Sequence, residues 1–396
     1  MKRLLIRTIV FLKNNYYKIK CFIAYLLTKT DSNTILFESY AGKYYNDNPY
    51  AIFKELTKSN KYNLVFALKN NDDIENFQRL YPNCLVVKSH SFKHFKMLKQ
   101  AKLWVFNYKS PSYFKKAKQT YFLQTWHGIP LKKLGCDIEK TNNYFYRSLQ
   151  TYQQMIDSYI DEGAKCDYFI SPSDYATKHL VSAFKLNENK IIKTMYPRNL
   201  DILNFDVEDI INFKKMHNIA EAKKIILYAP TYRDNNKSLI AGYSNNGLID
   251  LDKFSKLLNK EFVVLYKPHY LIKNNVDLSK YSNIIDVSNY QDIAQLYPIA
   301  DILITDYSSV YFDYALLKRP IYFYMPDLSN YKDELRGFYI NINNDLPNDY
   351  HISLSKLCYD INNSQLNYIK YNKFYEKNKY YQYDLDIDKL LKGELH

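Results

Sequence analysis

Short apolar runs alternate with amphipathic stretches along most of the chain. Residues 34–38 form an apolar run that predicts a strand, and a helix starts in the Asn48-Pro49-Tyr50 region and ends near Ser59. Strands are expected again at 62–68, 84–87 and 103–107, with a helix over 91–99 before the last of these. Residues 121–125 lead into a Trp126-His127-Gly128 turn, followed by a short strand at 168–171 and a helix at 174–183. Such alternation means a parallel sheet with helical crossovers.

The pattern restarts after a polar connector around residues 197–207. A strand at 224–228 enters Ala229-Pro230-Thr231, a helix covers 251–258, and a strand at 262–267 ends at Pro268-His269. Strands at 284–287 and 302–305 bracket a helical stretch at 293–297; a helix at 309–317 and a strand at 321–324 follow. With 396 residues, two domains are expected, each with its own core, here 31–200 and 201–364. A polar helical tail, 365–396, is expected to return to the first domain. Two such α/β domains facing one another would gather loops from the carboxyl ends of their strands around one cleft, where open α/β sheets bind ligands.

The first 30 residues break the alternation. They carry Lys2, Arg3, Arg7, Lys13, Lys18, Lys20 and Lys29 and no acid, interleaved with Leu4, Leu5, Ile9, Phe11, Ile19, Phe22 and Leu26. A bilayer span takes roughly 20 predominantly apolar residues, and the lysines interrupt any such run. No small-residue cleavage site follows, which argues against a secretory signal. Residues 1–30 therefore read as a basic amphipathic helix lying on an anionic leaflet. The alternative is a helix that packs its apolar stripe on the protein itself.

Composition adds limits. Hydrophobic residues make up 47% and charged residues 24%, ordinary values for a globular chain, so wholesale disorder is excluded. The net charge of +14 admits nucleic acid, an anionic membrane or a phosphorylated substrate as partner. Five scattered cysteines without a CxxC pair support neither a zinc site nor a disulfide framework, and fit reduced thiols in the cytoplasm.

Candidate chemistry gathers where strands end. Asp306-Tyr307-Ser308-Ser309 follows an apolar strand and precedes a helix; free amides and hydroxyls at such a start suit phosphate, or Ser308 or Ser309 is a plain N-cap. His269 follows Pro268 and can donate to a phosphate oxygen or protonate a leaving group, or be an ordinary loop histidine. His127, between Trp126 and Gly128, suits a general base, or is a buried, hydrogen-bonded histidine beside Trp126; Lys132 and Lys133 add positive charge. Arg233, just beyond Thr231, and Arg336 offer planar forks for a pyrophosphate, or are surface ion-pair partners. No Walker A loop or GxGxxG motif is present, so neither ATP nor NAD is indicated.

Taken together, Gln124–Gly135 with Asp137, the run 227–234, Lys267-Pro268-His269, Asp301 to Val310 through Asp313 to Pro320, and Arg336-Gly337-Phe338-Tyr339 resemble the CDP-glycerol glycerophosphotransferase family of teichoic acid synthases over roughly residues 34–345. The resemblance implies a GT-B-like fold, two Rossmann-like domains with the donor on the second. It implies attack by a hydroxyl of a polyprenyl-diphosphate-linked acceptor on the alditol-bearing phosphorus of CDP-glycerol or CDP-ribitol, with CMP leaving. By motif, His127 would be the acceptor-side base, with Trp126, Gly128, Lys132 and Lys133 beside it. His269, Arg233, Ser308 and Ser309 would hold the pyrophosphate, with Asp306, Thr231 and Arg336 in the same motifs; Asp313 is set toward the ribose by its place one turn into the helix, not by motif. Domain closure would be needed to bring His127 to His269. No metal is indicated by a ligand cluster, although Mg²⁺ is compatible with the chemistry. The stretch 340–344, Ile-Asn-Ile-Asn-Asn, departs from acidic residues common in the family and leaves the alditol open.

With the basic segment 1–30, the expectation is an enzyme held peripherally at the cytoplasmic face of the membrane, a primase or a compact polymerase in wall teichoic acid or capsule synthesis. Rival readings are a GT-B glycosyltransferase using a nucleotide sugar, and a basic non-enzymatic protein. Nucleic acid as partner has only net charge behind it, with no recognition motif.

Overall fold

The computed structural model describes residues 2–140, 151–231, 237–238, 242–243, 249–268, 277–328 and 337–394. The chain divides into two compact units: 1–127, 135–198 and 380–396 form the first, and 128–134 with 199–379 the second.

The first unit carries a seven-stranded sheet. Its strands are β1 (Asp31–Glu38), β2 (Asn63–Leu68), β3 (Leu85–Lys88), β4 (Ala101–Phe106), β5 (Tyr121–Gln124), β6 (Tyr168–Ser171) and β7 (Ile191–Lys193). They lie in the order β3-β2-β1-β4-β5-β6-β7, every adjacent pair parallel. Helices α2 (Asp47–Leu56), α3 (Asn71–Leu80), α4 (Phe92–Gln100), α5 (Tyr152–Lys165) and α6 (Asp174–Phe184) supply the crossovers. Their starts are written in the sequence: Asn70, Ser91 and Ser173 each cap a helix amide, and Thr151 with Gln154 closes a capping box. Central strands are buried almost throughout, as a parallel sheet covered on both faces requires. Part of the core is aromatic: the Phe53 ring lies 5.1 Å from Phe77, 5.6 Å from Phe66 and 4.9 Å from Tyr81.

The amino-terminal helix α1 (Lys2–Leu26) belongs to this unit and packs against α4. Cys21 and Ala24 are buried, and the Tyr17 ring lies 4.8 Å from His90 and 6.0 Å from Phe95. Ile9, Phe11, Leu12, Ile19, Phe22 and Leu26 remain exposed. The helix thus buries one stripe on the protein and presents a second apolar surface outward. Among the described residues no helix is long and apolar enough to cross a membrane.

The second unit begins with α7 (Asn199–Leu203) and α8 (Val207–Met216). Its sheet contains β8 (Lys224–Tyr228), β11 (Phe262–Tyr266), β12 (Ile284–Asp286), β13 (Ile302–Thr305), β14 (Ile321–Tyr324) and β15 (Tyr350–His351). These run in the order β12-β11-β8-β13-β14-β15, again all parallel; β9 (Lys237–Ser238) and β10 (Gly242–Tyr243) form a separate antiparallel pair. Its other described helices are α9 (Leu251–Leu257), α10 (Val310–Ala315), α11 (Ile342–Asp345), α12 (Leu354–Asn362) and α13 (Tyr368–Lys377). Ile226, Phe254, Val264, Ile304, Leu357 and Ile361 share its core.

Two segments are distributed differently from the sequence expectation. The tail 365–396 is not one piece. Helix α13 stays with the second unit, where Phe374 packs on Tyr311 and Phe312 and the Tyr375 hydroxyl donates to the Ala315 carbonyl at 2.9 Å. Residues 380–396 join the first unit: the Tyr381 amide donates to Pro172, and α14 (Ile387–Lys392) buries Ile387 and Leu390 there. Residues 128–134, expected in the first domain, belong to the second. Backbone pairing explains this, since Lys132 bridges Phe338, the Lys133 amide donates to Gly337, and the Tyr339 amide donates to Leu131. The boundary between units therefore falls inside the Trp-His-Gly motif.

Candidate active site

Strand β5 ends at Gln124, and the Thr125 amide makes one more bond, to the Phe106 carbonyl at 2.8 Å. The chain then turns abruptly. Trp126 adopts φ 51°, a left-handed conformation costly for a bulky residue. Its amide donates to Gln124 Oε1 at 3.0 Å, and the Gln124 amide group is fixed in turn by buried Glu162 at 2.7 Å. The Trp126 ring is buried against Phe184 and lies 4.2 Å from the His127 ring. Gly128 follows at φ 154°, a region that glycine alone enters easily.

This turn presents His127 at the carboxyl end of the sheet, partly exposed. Its Nδ1 is 2.6 Å from the backbone oxygen of Asn107. A carbonyl only accepts, so Nδ1 carries the proton and Nε2 keeps its lone pair. Burial holds the imidazole below its ordinary proton affinity; the Asn107 bond and Asp47 act the other way, and Arg198 acts with burial. A neutral imidazole with a bare Nε2 is the form a general base requires.

Around it stand residues that the sequence did not single out. Tyr40 places its ring 5.6 Å from His127 and bonds its hydroxyl to Asp47. The Tyr40 amide donates to Asn107 Oδ1 at 2.8 Å. Arg198 Nη1 donates to Asp47 Oδ1 at 2.8 Å and to the His127 carbonyl at 3.1 Å. Asn48, wholly buried, donates to the carbonyls of Thr125 and Trp126. None of these lies in a short motif with a chemical signature; the only sign in sequence is a run of polar residues, 46–48, at the head of an apolar-faced helix.

In the second unit the carboxyl ends of β8 and β13 are tied together. Asp306 Oδ1 accepts from the Thr231 amide at 2.8 Å, from the Thr231 hydroxyl, and from the Tyr307 amide at 2.6 Å. Asp306 and Thr231, expected among the phosphate ligands, thus bond each other, and the Thr231 hydroxyl proton goes to Asp306. These bonds tie the start of the loop that carries Ser308 and Ser309 to the end of β8. Ser309 precedes α10 without a side-chain cap bond, and Ser308 Oγ is 3.4 Å from the Val310 amide. Asp313 is buried within α10. Lys267, at the end of β11, donates to the Ser288 carbonyl at 3.0 Å, and burial lowers its proton affinity. Gly128, Lys132 and Lys133, expected beside the acceptor, are carried by the second unit. His269, Arg233 and Arg336 lie outside the described residues. Among the described residues no group of three or more His, Cys, Asp or Glu side chains is arranged to hold a metal ion.

Each of the two α/β units has a wholly parallel main sheet with polar side chains gathered at strand carboxyl ends, and the likeness to a solved polymerase makes the fold one of the GT-B type. A solved structure of the wall teichoic acid polymerase TagF superimposes with a TM-score of 0.81 at 34% identity, covering 95% of this chain and 92% of that one. A variant of that polymerase soaked with CDPG has the same fold. Residues 20–386 match the family described as CDP-glycerol:poly(glycerophosphate) glycerophosphotransferase, and the chain belongs to this family. A teichoic acid glycerol-phosphate transferase of Staphylococcus aureus is 39% identical over 328 residues, 81% of this chain and 82% of the relative. A teichoic acid ribitol-phosphate polymerase of the same organism is 28% identical over 278 residues, 68% of this chain and 51% of the relative.

Proposed function

We propose that this enzyme transfers glycerol phosphate from CDP-glycerol to a hydroxyl of a polyprenyl-diphosphate-linked acceptor, releasing CMP, in teichoic acid synthesis. The observation that carries the reading is His127, whose Nδ1 is occupied by the Asn107 carbonyl while Nε2 remains an acceptor. An alcohol is a poor nucleophile at neutral pH. As the acceptor oxygen bonds to the glycerol-bearing phosphorus, its proton passes to Nε2 and the bond from that phosphorus to the CMP oxygen breaks. A base so placed contributes typically ~10²–10⁴-fold.

The donor pyrophosphate gathers negative charge as it divides, and cationic side chains stabilise that charge. His269, Arg233 and Arg336 take this role by family motif, with Ser308 and Ser309 adding hydroxyl donors. Asp306 serves them indirectly by fixing the loop, which suits a carboxylate better than direct contact with a phosphate of like charge. The greater identity to a glycerol-phosphate transferase than to a ribitol-phosphate polymerase favours glycerol as the alditol.

The outward apolar surface of α1, flanked by Lys13, Lys18 and Lys20, suits an anionic leaflet and would hold the enzyme at the cytoplasmic face, where a lipid-linked acceptor is presented. The test is incubation with a lipid-linked acceptor and CDP-glycerol, CDP-ribitol or a UDP-sugar, with products weighed by mass spectrometry. Added glycerol phosphate with stoichiometric CMP is expected. Sugar transfer instead would make the chain a glycosyltransferase.

A further inference from the structure

The three carbonyls that follow β5, those of Thr125, Trp126 and His127, are each held by a side chain from elsewhere in the sequence. Asn48 Nδ2 donates to Thr125 at 3.3 Å and to Trp126 at 3.0 Å; Arg198 Nη1 donates to His127 at 3.1 Å. The two clamps are joined, because Asn48 Oδ1 accepts from the Arg198 amide at 3.2 Å and Asp47 Oδ1 accepts from Arg198 Nη1 at 2.8 Å. Asp47 sits at φ 63°, and Tyr40 and Ala41, which lead toward it, sit at 47° and 58°. Four non-glycine residues, Trp126 included, are thus held left-handed in the segments that carry these contacts, and three of them, Tyr40, Asp47 and Trp126, neighbour or act on the His127 imidazole. Strain of this kind persists only where surrounding bonds over-determine it.

Stability alone is a poor reason for the pair. The Arg198 and Asp47 side chains are 11% and 4% exposed, and a desolvated ion pair is commonly no more stabilising than apolar residues of the same volume. We infer that Arg198 and Asp47 are positioning residues for His127, fixing its main chain so that Nε2 meets the acceptor hydroxyl. The assignment rests on the proposed role of His127 as base. Among the described residues, the Tyr40 ring lies against the imidazole, and the Asp47 carboxylate and the Arg198 guanidinium act on its charge. The two charged ones act in opposite senses on its protonation, Asp47 favouring the imidazolium and Arg198 opposing it.

That opposition separates positioning from mere support. Arg198→Gln and Asp47→Asn are each expected to slow CMP release by about 10²-fold, the order of loss that follows misplacement of a reacting group by ~1 Å. The KM for CDP-glycerol should stay near its wild-type value. The His127 midpoint, followed by ¹⁵N NMR of the imidazole in the full chain, should rise in Arg198→Gln and fall in Asp47→Asn. Arg198→Lys, which keeps the charge, should lose less activity and leave the midpoint near wild type; it also serves if the other variants do not fold. Midpoints that stay put or move in the same direction would overturn the inference, as would normal turnover in the glutamine and asparagine variants. Because the titration is read without substrate, it stands even if the full chain proves to use another donor.

Discussion

The backbone oxygen of Asn107 lies 2.6 Å from His127 Nδ1, and this one contact decides which imidazole nitrogen is free to accept a proton. The contact is made by main chain at the end of β4, so no side-chain substitution at 107 deletes it. The tautomer is written into the register between neighbouring strands β4 and β5.

A pH profile follows. Only neutral His127 can act as base, and burial holds its proton affinity below the ordinary imidazole value of 6.5. The acidic limb of kcat/KM for CMP release should therefore fall below pH 6.5, with activity rising as pH increases through it. A limb at or above 6.5 would show that another group, or a differently placed His127, governs the reaction.

Stability should depend on pH through a different cluster. His90 and His94, close to α1 and β3, are pushed by burial to about 4 and about 3 from 6.5. Between those values the unfolded chain binds protons that the folded chain refuses, so both contributions are lost as pH falls from 6.5. Buried Glu38, within 3.7 Å of His94, is shifted upward by desolvation and acts in the opposite sense. The informative comparison is thus with a variant. His94→Gln should flatten the fall in Tm between pH 6.5 and 4, and an unchanged slope would contradict the assignment.

The aromatic core of the first unit makes a prediction about magnitude. Phe53 is fully buried among Phe37, Phe66, Phe77 and Tyr81. Phe53→Ala should cost about 3–5 kcal/mol by lost transfer energy and cavity formation. Urea denaturation of the full chain measures it, read as the loss in the transition that reports the first unit.

Helix α1 offers a test on vesicles. Ile19→Asp with Phe22→Asp alters exposed positions and leaves the buried Cys21 and Ala24 stripe intact. Flotation with anionic vesicles should fall several-fold, while turnover on a soluble acceptor analogue persists. Undiminished flotation would remove the membrane role from this surface.

The strand–helix alternation was legible because parallel strands buried on both faces leave continuous apolar runs, such as Ile302-Leu303-Ile304 in β13. Helix ends were legible where a side chain caps, as at Ser91 and Ser173, and less so in α10, expected over 309–317 and found at Val310–Ala315, where no cap bond forms. The placement of residues 128–134 was hidden because it depends on pairing with Phe338, some 200 residues away, and nothing local announces such a partner. The site divides the same way. His127 could be singled out as a candidate from its glycine and tryptophan neighbours. Tyr40, Asp47, Asn48 and Arg198 could not, because their meaning lies in carbonyls they reach only after folding. Asp306 was visible as a motif residue, but its bonds to Thr231 and Tyr307 give it a scaffolding task that the motif alone does not state.

His127 is proposed to remove the proton from the acceptor hydroxyl during glycerol phosphate transfer. The most direct measurement is CMP release from CDP-glycerol with a lipid-linked acceptor, comparing the wild-type enzyme with His127→Asn, alongside calorimetric binding of CDP-glycerol to both. Turnover in His127→Asn is expected to fall by at least ~10²-fold with donor affinity retained. Near-normal turnover in a folded His127→Asn variant would contradict it.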